Sequence, residues 1–327
     1  MATTGELDLA RGTPLTLGLR TYSVHSMLGQ GANGKVYCLV STSARPLALK
    51  LFYDAREAEH ERRMYSIAGT APGIQQLIGS VYLYGHGTAL LFAPMHGSLA
   101  KLMDEHWTTK ACPPRGPLMR WIGRQLLTGL VSLHRQHVLH GDLKPANVLV
   151  KYDAPSSSSN RLLLADLSAA YTVLPGTAIC GEVLTTRYYR SPAQLLGLPF
   201  GLDDDLWALA CVLYECQTGH VLLAGHSDEH QLQLVLQLLG PPPGTLLQAM
   251  PASKREQLFV RRGTAHRARW VLREPLAACR RQLPEDMDGD LHEVLTQLLR
   301  YEGRPSAEQL MAHPFFRAPR PPCHAAE

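Results

Sequence analysis

The stretch HGDLKPANVLV, His140 to Val150, sets a carboxylate, an ammonium and a carboxamide close together at Asp142, Lys144 and Asn147, bracketed by apolar residues. A second acid, Asp166, follows another apolar run in RLLLADLSAAY. Two strand-flanked carboxylates with an amide and an ammonium between them suit a divalent magnesium ion that bridges phosphates, because magnesium prefers oxygen ligands and keeps several waters. A glycine, Gly141, stands where one further positive charge could have stood.

A phosphate-binding partner for that group lies upstream. LGQGANGKVY sets Gly29, Gly31 and Gly34 in a G-x-G-x-x-G-x-V pattern, with Leu28 before it and Val36 inside it. Three glycines alone are a weak signal, shared with dinucleotide folds. A dinucleotide site needs a helix directly after the glycines, whereas KVYCLV continues as a strand, so the expectation is a hairpin lying over phosphates with main-chain N–H groups free to approach oxygen anions. In PLALKLF, Lys50 ends an apolar strand run and should point inward. An unpaired ammonium there is costly, so it needs an anionic ligand and a carboxylate neighbour. Glu61 in HERRMYSIA is the first choice, because Met64 and Tyr65 follow at helical spacing; Glu57 and Glu59 are the alternatives.

These groups need elements to hold them. KVYCLV, PLALKLF, GSVYLY and TALLFAP alternate as strands around one helical stretch from Ala55 to Ala68. After Gly97 helical periods dominate, as in LMRWIGRQLLTGLVSLHRQH, DDLWALACVLYECQTG, DEHQLQLVLQLLG and LHEVLTQLLRY. Strands first and helices second define an α+β chain, and the cleft between a small sheet lobe and a larger helical lobe is a natural small-ligand site. The expected division is an N-terminal extension at 1–21, a sheet lobe at 22–95, a helical lobe at 96–317 and a tail at 318–327.

With 327 residues and 45% hydrophobic content the chain can bury a sizeable core, which excludes a disordered or fibrous protein. The net charge of +4 is too mild to argue for direct nucleic-acid binding. Seven scattered cysteines without metal-ligand spacing suit free thiols in a reducing compartment. His134 and His137 follow a helix and are expected to cap or solvate it. The start of the chain lacks the apolar run of a secretory signal, and no stretch approaches the roughly 18 apolar residues of a membrane span. The expectation is an intracellular monomer, cytoplasmic or nuclear, without a membrane partner.

Together the glycine hairpin, Lys50, HGDLKPANVLV and RLLLADLSAAY resemble the eukaryotic protein kinase family, from about residue 22 to 317. The resemblance implies a two-lobed fold and magnesium-dependent transfer of the γ-phosphate of ATP to protein serine or threonine hydroxyls. It makes Asp142 the catalytic base, Lys144 a stabiliser of charge on the migrating phosphoryl group, and Asn147 and Asp166 the magnesium ligands. Lys50 becomes the clamp on the α and β phosphates, with Glu61 as its partner. Leu28, Gly29, Gly31, Gly34, Val36 and Ala48 join the nucleotide site. Phe92 becomes the gatekeeper, and the Ala93 carbonyl and Met95 amide face adenine, with Pro94 where no donor is expected. VLTTRYYRSPAQLLG resembles the substrate-side segment of the group that holds the cyclin-dependent, mitogen-activated, homeodomain-interacting and SR-protein kinases. There Thr186 should bond the catalytic Asp and Lys, and Asp205 should tie the catalytic loop from beneath. A proline preference follows weakly through Arg190, and the Arg-rich segment 251–281 is either a solvated surface with Arg stems packed on it or a dock for acidic or phosphorylated partners. The trimmed build leaves a virally encoded kinase conceivable.

Three departures stand out. Gly141 replaces the usual Arg, which removes the main anchor of a phosphorylated activation segment and implies activity without such phosphorylation. Asp166-Leu167-Ser168 replaces Asp-Phe-Gly, and Ser168 should make a flipped inactive state less accessible. Ser191-Pro192-Ala193 replaces Ala-Pro-Glu, so Arg304 loses its usual carboxylate, and either another acid moves in or the site is wetter. The competing readings are a pseudokinase scaffold and a kinase of small molecules.

Overall fold

The computed structural model describes residues 8–108, 114, 116–152, 159–181, 185–263, 269–273 and 281–317. Strands β1 (Pro14–Leu17), β2 (Arg20–Gln30), β3 (Gly34–Val40), β4 (Leu47–Phe52), β5 (Leu77–Leu83) and β6 (Gly87–Phe92) form one antiparallel sheet in the order β1-β2-β3-β4-β6-β5. Successive side chains leave a strand on opposite faces, so register decides what each face carries. Tyr37, Leu39, Leu49, Leu51 and Ala89 pack one face into a core with Tyr22 and Val24. Val36 pairs with Lys50 and Ala48 with Phe92, which delivers the opposite face to the cleft. The sheet reaches back into the stretch expected to be an extension, because β1 pairs with β2 from Pro14 onward.

Helix α1 (Ala55–Ala68) starts where Asp54 accepts the Arg56 N–H and ends at Gly69. Its buried stripe is Ala58, Glu61, Met64, Tyr65 and Ala68, at the three- and four-residue spacing of one helix face. Four of these pack in the large core shared with the helical lobe, and the fifth, Glu61, is the one carboxylate of the stripe.

The chain then passes through β7 (Gly97–Ser98) and α2 (Leu99–Leu102) into α3 (Pro117–Arg135), followed by the short strands β8 (Val138–Leu139), β9 (Val148–Lys151), β10 (Arg161–Leu164) and β11 (Tyr171–Thr172). These pair as β10-β9-β7 and β11-β8, so the segments carrying Asp142 and Asp166 are stretched between anchored strands. Helices α4 (Pro192–Leu196), α5 (Asp204–Thr218) and α6 (Asp228–Leu239) follow, then α7 (Gly244–Ala249), α8 (Ala252–Leu258), a hairpin of β12 (Phe259–Arg262) and β13 (Arg269–Leu272), α9 (Gly289–Leu298) and α10 (Ala307–Leu310). Helix α5 is buried nearly all round, from Leu206 to Cys216. This is the α+β, two-lobed architecture expected.

One expectation needs correction. His134 lies inside α3, where Asp205 faces its ring at 2.9 Å; it neither caps nor solvates a helix end. Within the Arg-rich segment the described residues form α8 and the hairpin, with the Arg255 guanidinium 5.1 Å over the Trp270 ring, which agrees with a surface on which Arg side chains pack. Cys112, Cys279 and Cys323 and most of the serine-rich loop lie outside the described residues.

Candidate active site

The glycine hairpin closes with the Gly31 N–H donating to the Gly34 carbonyl at 2.9 Å. The three glycines divide into two kinds. A Cβ on Gly34 would meet the Leu51 carbonyl oxygen at 2.0 Å, so this glycine lets β3 lie against β4. A Cβ on Gly29 or Gly31 would meet nothing within 4 Å, which leaves open space for a ligand against the backbone.

Beneath the hairpin, β4 presents Lys50. Its ammonium donates to Glu61 Oε2 at 2.6 Å and to Asp166 Oδ1 at 2.9 Å. Among Glu57, Glu59 and Glu61, Glu61 faces Lys50, whereas Glu59 pairs with Arg62 at the surface. Burial pushes the Glu61 carboxyl up to about 7 against the pull of Lys50. Burial also opposes ionisation of Asp166, but Lys50 and the Ser168 hydroxyl outweigh it and hold that carboxyl at about 2. Lys50 stays protonated well above neutrality: burial works against its charge, and the two carboxylates prevail.

Asp166 sits in a left-handed backbone conformation, φ 60°, ψ 75°. Its N–H donates to the Tyr65 hydroxyl at 3.1 Å, and Leu167 behind it is fully buried. The Ala165 N–H donates to the Asn147 carbonyl at 2.9 Å, so the two expected magnesium ligands are tied by backbone. Asp166 Oδ2 accepts no hydrogen bond from the described residues. A carboxylate held as an anion with one free oxygen, beside a carboxamide, is a hard-oxygen donor set that fits magnesium.

The loop that carries Asp142 is held from below and from the side. Asp205, 2% exposed, accepts the His140 and Gly141 N–H groups at 2.8 and 3.0 Å. The Asp142 N–H donates to His140 Nδ1 at 3.3 Å, and Nε2 lies 3.2 Å from the Ala165 carbonyl; this network assigns the Nε2–H tautomer. Asp142 Oδ1 accepts the Thr186 N–H at 2.8 Å, and Oδ2 accepts the Lys144 ammonium at 2.6 Å and the Asn147 amide at 3.2 Å. Lys144 also donates to the Thr186 hydroxyl at 2.7 Å. Asp142, Lys144, Asn147 and Thr186 thus form one connected cluster, with Thr186 arriving from the substrate-side segment.

At the other end Ala48 and Phe92 are buried, Val36 is half-buried and Leu28 half-exposed. The Phe92 ring packs on Tyr65, centroids 5.1 Å apart. Neither the Ala93 carbonyl nor the Met95 N–H is taken up by a backbone hydrogen bond among the described residues. Sequence reasoning missed Tyr65 as an anchor of Asp166, although its place one turn after Glu61 was a usable signal, and it missed the hydroxyl contact from Ser168.

The protein kinase domain family matches residues 22–316, and the chain belongs to that family. Among curated relatives, homeodomain-interacting protein kinase 2 of Mesocricetus auratus is 28% identical over 279 residues, which is 83% of this chain and 23% of the relative. Cyclin-dependent kinase-like 5 of Homo sapiens is 28% identical over 317 residues, covering 92% of this chain and 30% of the relative. The chain therefore spans less than a third of the length of these relatives. Its similarity is to the group that holds both of them, as the substrate-side segment implied.

Proposed function

We propose that this chain is a magnesium-dependent protein serine/threonine kinase that transfers the γ-phosphate of ATP to protein hydroxyls. The observation that carries the proposal is the clamp on Asp142, whose two oxygens are oriented by the Thr186 N–H and the Lys144 ammonium. In this reading the acceptor hydroxyl oxygen forms a bond to the γ-phosphorus as the bond to the β–γ bridging oxygen breaks. The hydroxyl proton passes to Asp142, and Lys144 balances charge on the transferred group. Asn147 and Asp166 hold the magnesium ion, which when bound neutralises phosphate charge. Lys50 grips the α and β phosphates, kept in place by Glu61, while Gly29 and Gly31 supply backbone room above them. Val36, Ala48, Phe92, Ala93 and Met95 take the adenine.

The working division is a sheet lobe to residue 95 and a helical lobe to 317. Protein substrates follow from the family, and the basic segment 251–281 is where an acidic or phosphorylated partner would dock. Among the described residues no helix is long and apolar enough to cross a membrane.

A peptide-array assay with labelled ATP and magnesium tests the reading. Turnover on serine or threonine peptides is expected, with Asp142→Asn lowering kcat about a thousandfold while nucleotide affinity stays. Departures at Gly141, Ser168 and Ala193 motivate the second reading, a nucleotide-binding scaffold without turnover. A wild-type chain that binds nucleotide and phosphorylates nothing would favour it.

A further inference from the structure

Three donors converge on one oxygen of Asp166. Lys50 reaches Oδ1 at 2.9 Å, the Ser168 hydroxyl at 2.7 Å and the Ser168 N–H at 3.4 Å. The other oxygen, Oδ2, receives nothing from the described residues. A carboxylate torsion is broad and twofold, and a half-turn only exchanges two equivalent oxygens, so what has to be fixed is the plane in which the free oxygen points. The ammonium fixes that plane only weakly, since it is a compact charge on a flexible stem that binds an oxygen over a wide range of angles. A short hydroxyl bond from two residues along the chain fixes it more strongly, because donor and acceptor sit on one tight turn anchored by the fully buried Leu167.

We propose that Ser168 is a positioning residue for the magnesium site: its hydroxyl latches Asp166 Oδ1 and thereby keeps Oδ2 presented as the metal-binding oxygen. The glycine common at this position in the family has no such donor. The hydroxyl does not compete with the metal, because it occupies the oxygen that Lys50 already shares. Its benefit is pre-organisation: the carboxylate is fixed before the ion arrives, so less freedom is lost on binding. This inference rests on the kinase reading and adds a role for one residue within it.

Calorimetry on the full chain separates the possibilities, with ADP as probe, first in chelator and then at graded magnesium chloride. Wild type is compared with Ser168→Ala, which keeps the turn and its N–H, with Ser168→Gly, and with Ser168→Thr, which restores a hydroxyl. The magnesium concentration giving half the gain in ADP affinity is expected to rise about three- to tenfold in the Ala and Gly variants and to stay near wild type in Thr. Metal-free ADP affinity is expected to match in all four. An Ala variant with the wild-type magnesium midpoint overturns the latch, as does a metal-free affinity that falls in the same proportion, which marks general damage. A wild-type chain whose ADP affinity ignores magnesium overturns the kinase reading itself, and the latch with it.

Discussion

Asp203 neutralises Arg304. The guanidinium, 1% exposed, pairs with that carboxylate at 2.8 Å, donates to the Leu298 and Arg300 carbonyls at 3.1 and 2.7 Å, and lies 5.5 Å over the Trp207 ring. The acid that the family supplies from the position of Ala193 has been replaced by one at the start of α5, so the buried charge is neither orphaned nor left to water. Asp203 is 52% exposed, which limits the energy of the pair. Asp203→Ala is expected to destabilise the chain by about 2 kcal/mol, below the loss from breaking a fully buried pair. Adding Ala193→Glu to that variant should recover part of the loss in urea unfolding. If Asp203→Ala unfolds at the wild-type midpoint, Arg304 is satisfied without it.

Gly141 has a geometric reason as well as a chemical one. It lies at φ 79°, and a Cβ there would meet the Ala169 carbonyl oxygen at 2.2 Å. A side chain would push on the turn that carries Asp166 and Ser168, in addition to the roughly 1 to 2 kcal/mol of left-handed strain. Gly141→Arg should therefore lower kcat at least about tenfold through displaced metal ligands, and it should not create dependence on activation-segment phosphorylation. Wild type is expected to keep its turnover after phosphatase treatment. A phosphatase-sensitive wild type, or a fully active Gly141→Arg, contradicts this.

Much of the site was legible because its signals are local. Lys50 and Glu61 announce themselves by an inward strand position and a helical stripe, and Asp142, Lys144 and Asn147 by spacing within one loop. The run Asp203-Asp204-Asp205 was only partly legible. Around a helix start, neighbouring residues point in directions about 100° apart. Asp203 therefore reaches Arg304, Asp204 accepts the Gly201 N–H at 2.6 Å, and Asp205 reaches the catalytic loop. The family motif identified the last, and nothing in the spacing separated the first two. The Ser168 latch depends on a side-chain rotamer, which no pattern encodes. Strand β1 was hidden by its length of four residues and by Pro14, a residue tolerated where a strand begins.

Asp204 makes stability depend on pH. Burial, then repulsion from Asp203, push its carboxyl up from 3.8 to about 6, while the Ser191 side chain and the Gly201 N–H pull the other way. The folded chain binds this proton more tightly than the unfolded one. Its contribution is complete below pH 3.8 and is lost as pH rises through about 6. Asp204→Asn removes the titration, so the stability difference between wild type and variant should move in favour of wild type on acidification from pH 7.5 to 5. The full span of the effect is on the order of 2 to 3 kcal/mol. Urea midpoints at the two pH values measure it, and a difference that stays constant would show that the group titrates normally.

The substrate-side segment carries its own counter-ion. Asp228, in the first turn of α6, accepts from Arg187 at 2.9 Å and, through both its oxygens, from Arg190 at 2.8 and 2.9 Å. Arg190 also donates to the Thr185 carbonyl at 3.0 and 2.8 Å, one residue before the threonine that orients Asp142. One carboxylate therefore holds two guanidiniums whose mutual repulsion would otherwise loosen the segment. Burial works against its charge, yet the two arginines hold the Asp228 carboxyl below its ordinary value, so it stays ionised at neutral pH. The group is half-exposed and each pair is worth about 0.5 to 1 kcal/mol. Asp228→Ala should accordingly raise the KM for a peptide substrate about three- to tenfold and leave nucleotide affinity unchanged, with Asp228→Glu intermediate. Steady-state kinetics that vary peptide and ATP separately give the answer. An equal rise in both KM values would assign Asp228 to general folding, because only a positioning role acts on the acceptor side alone.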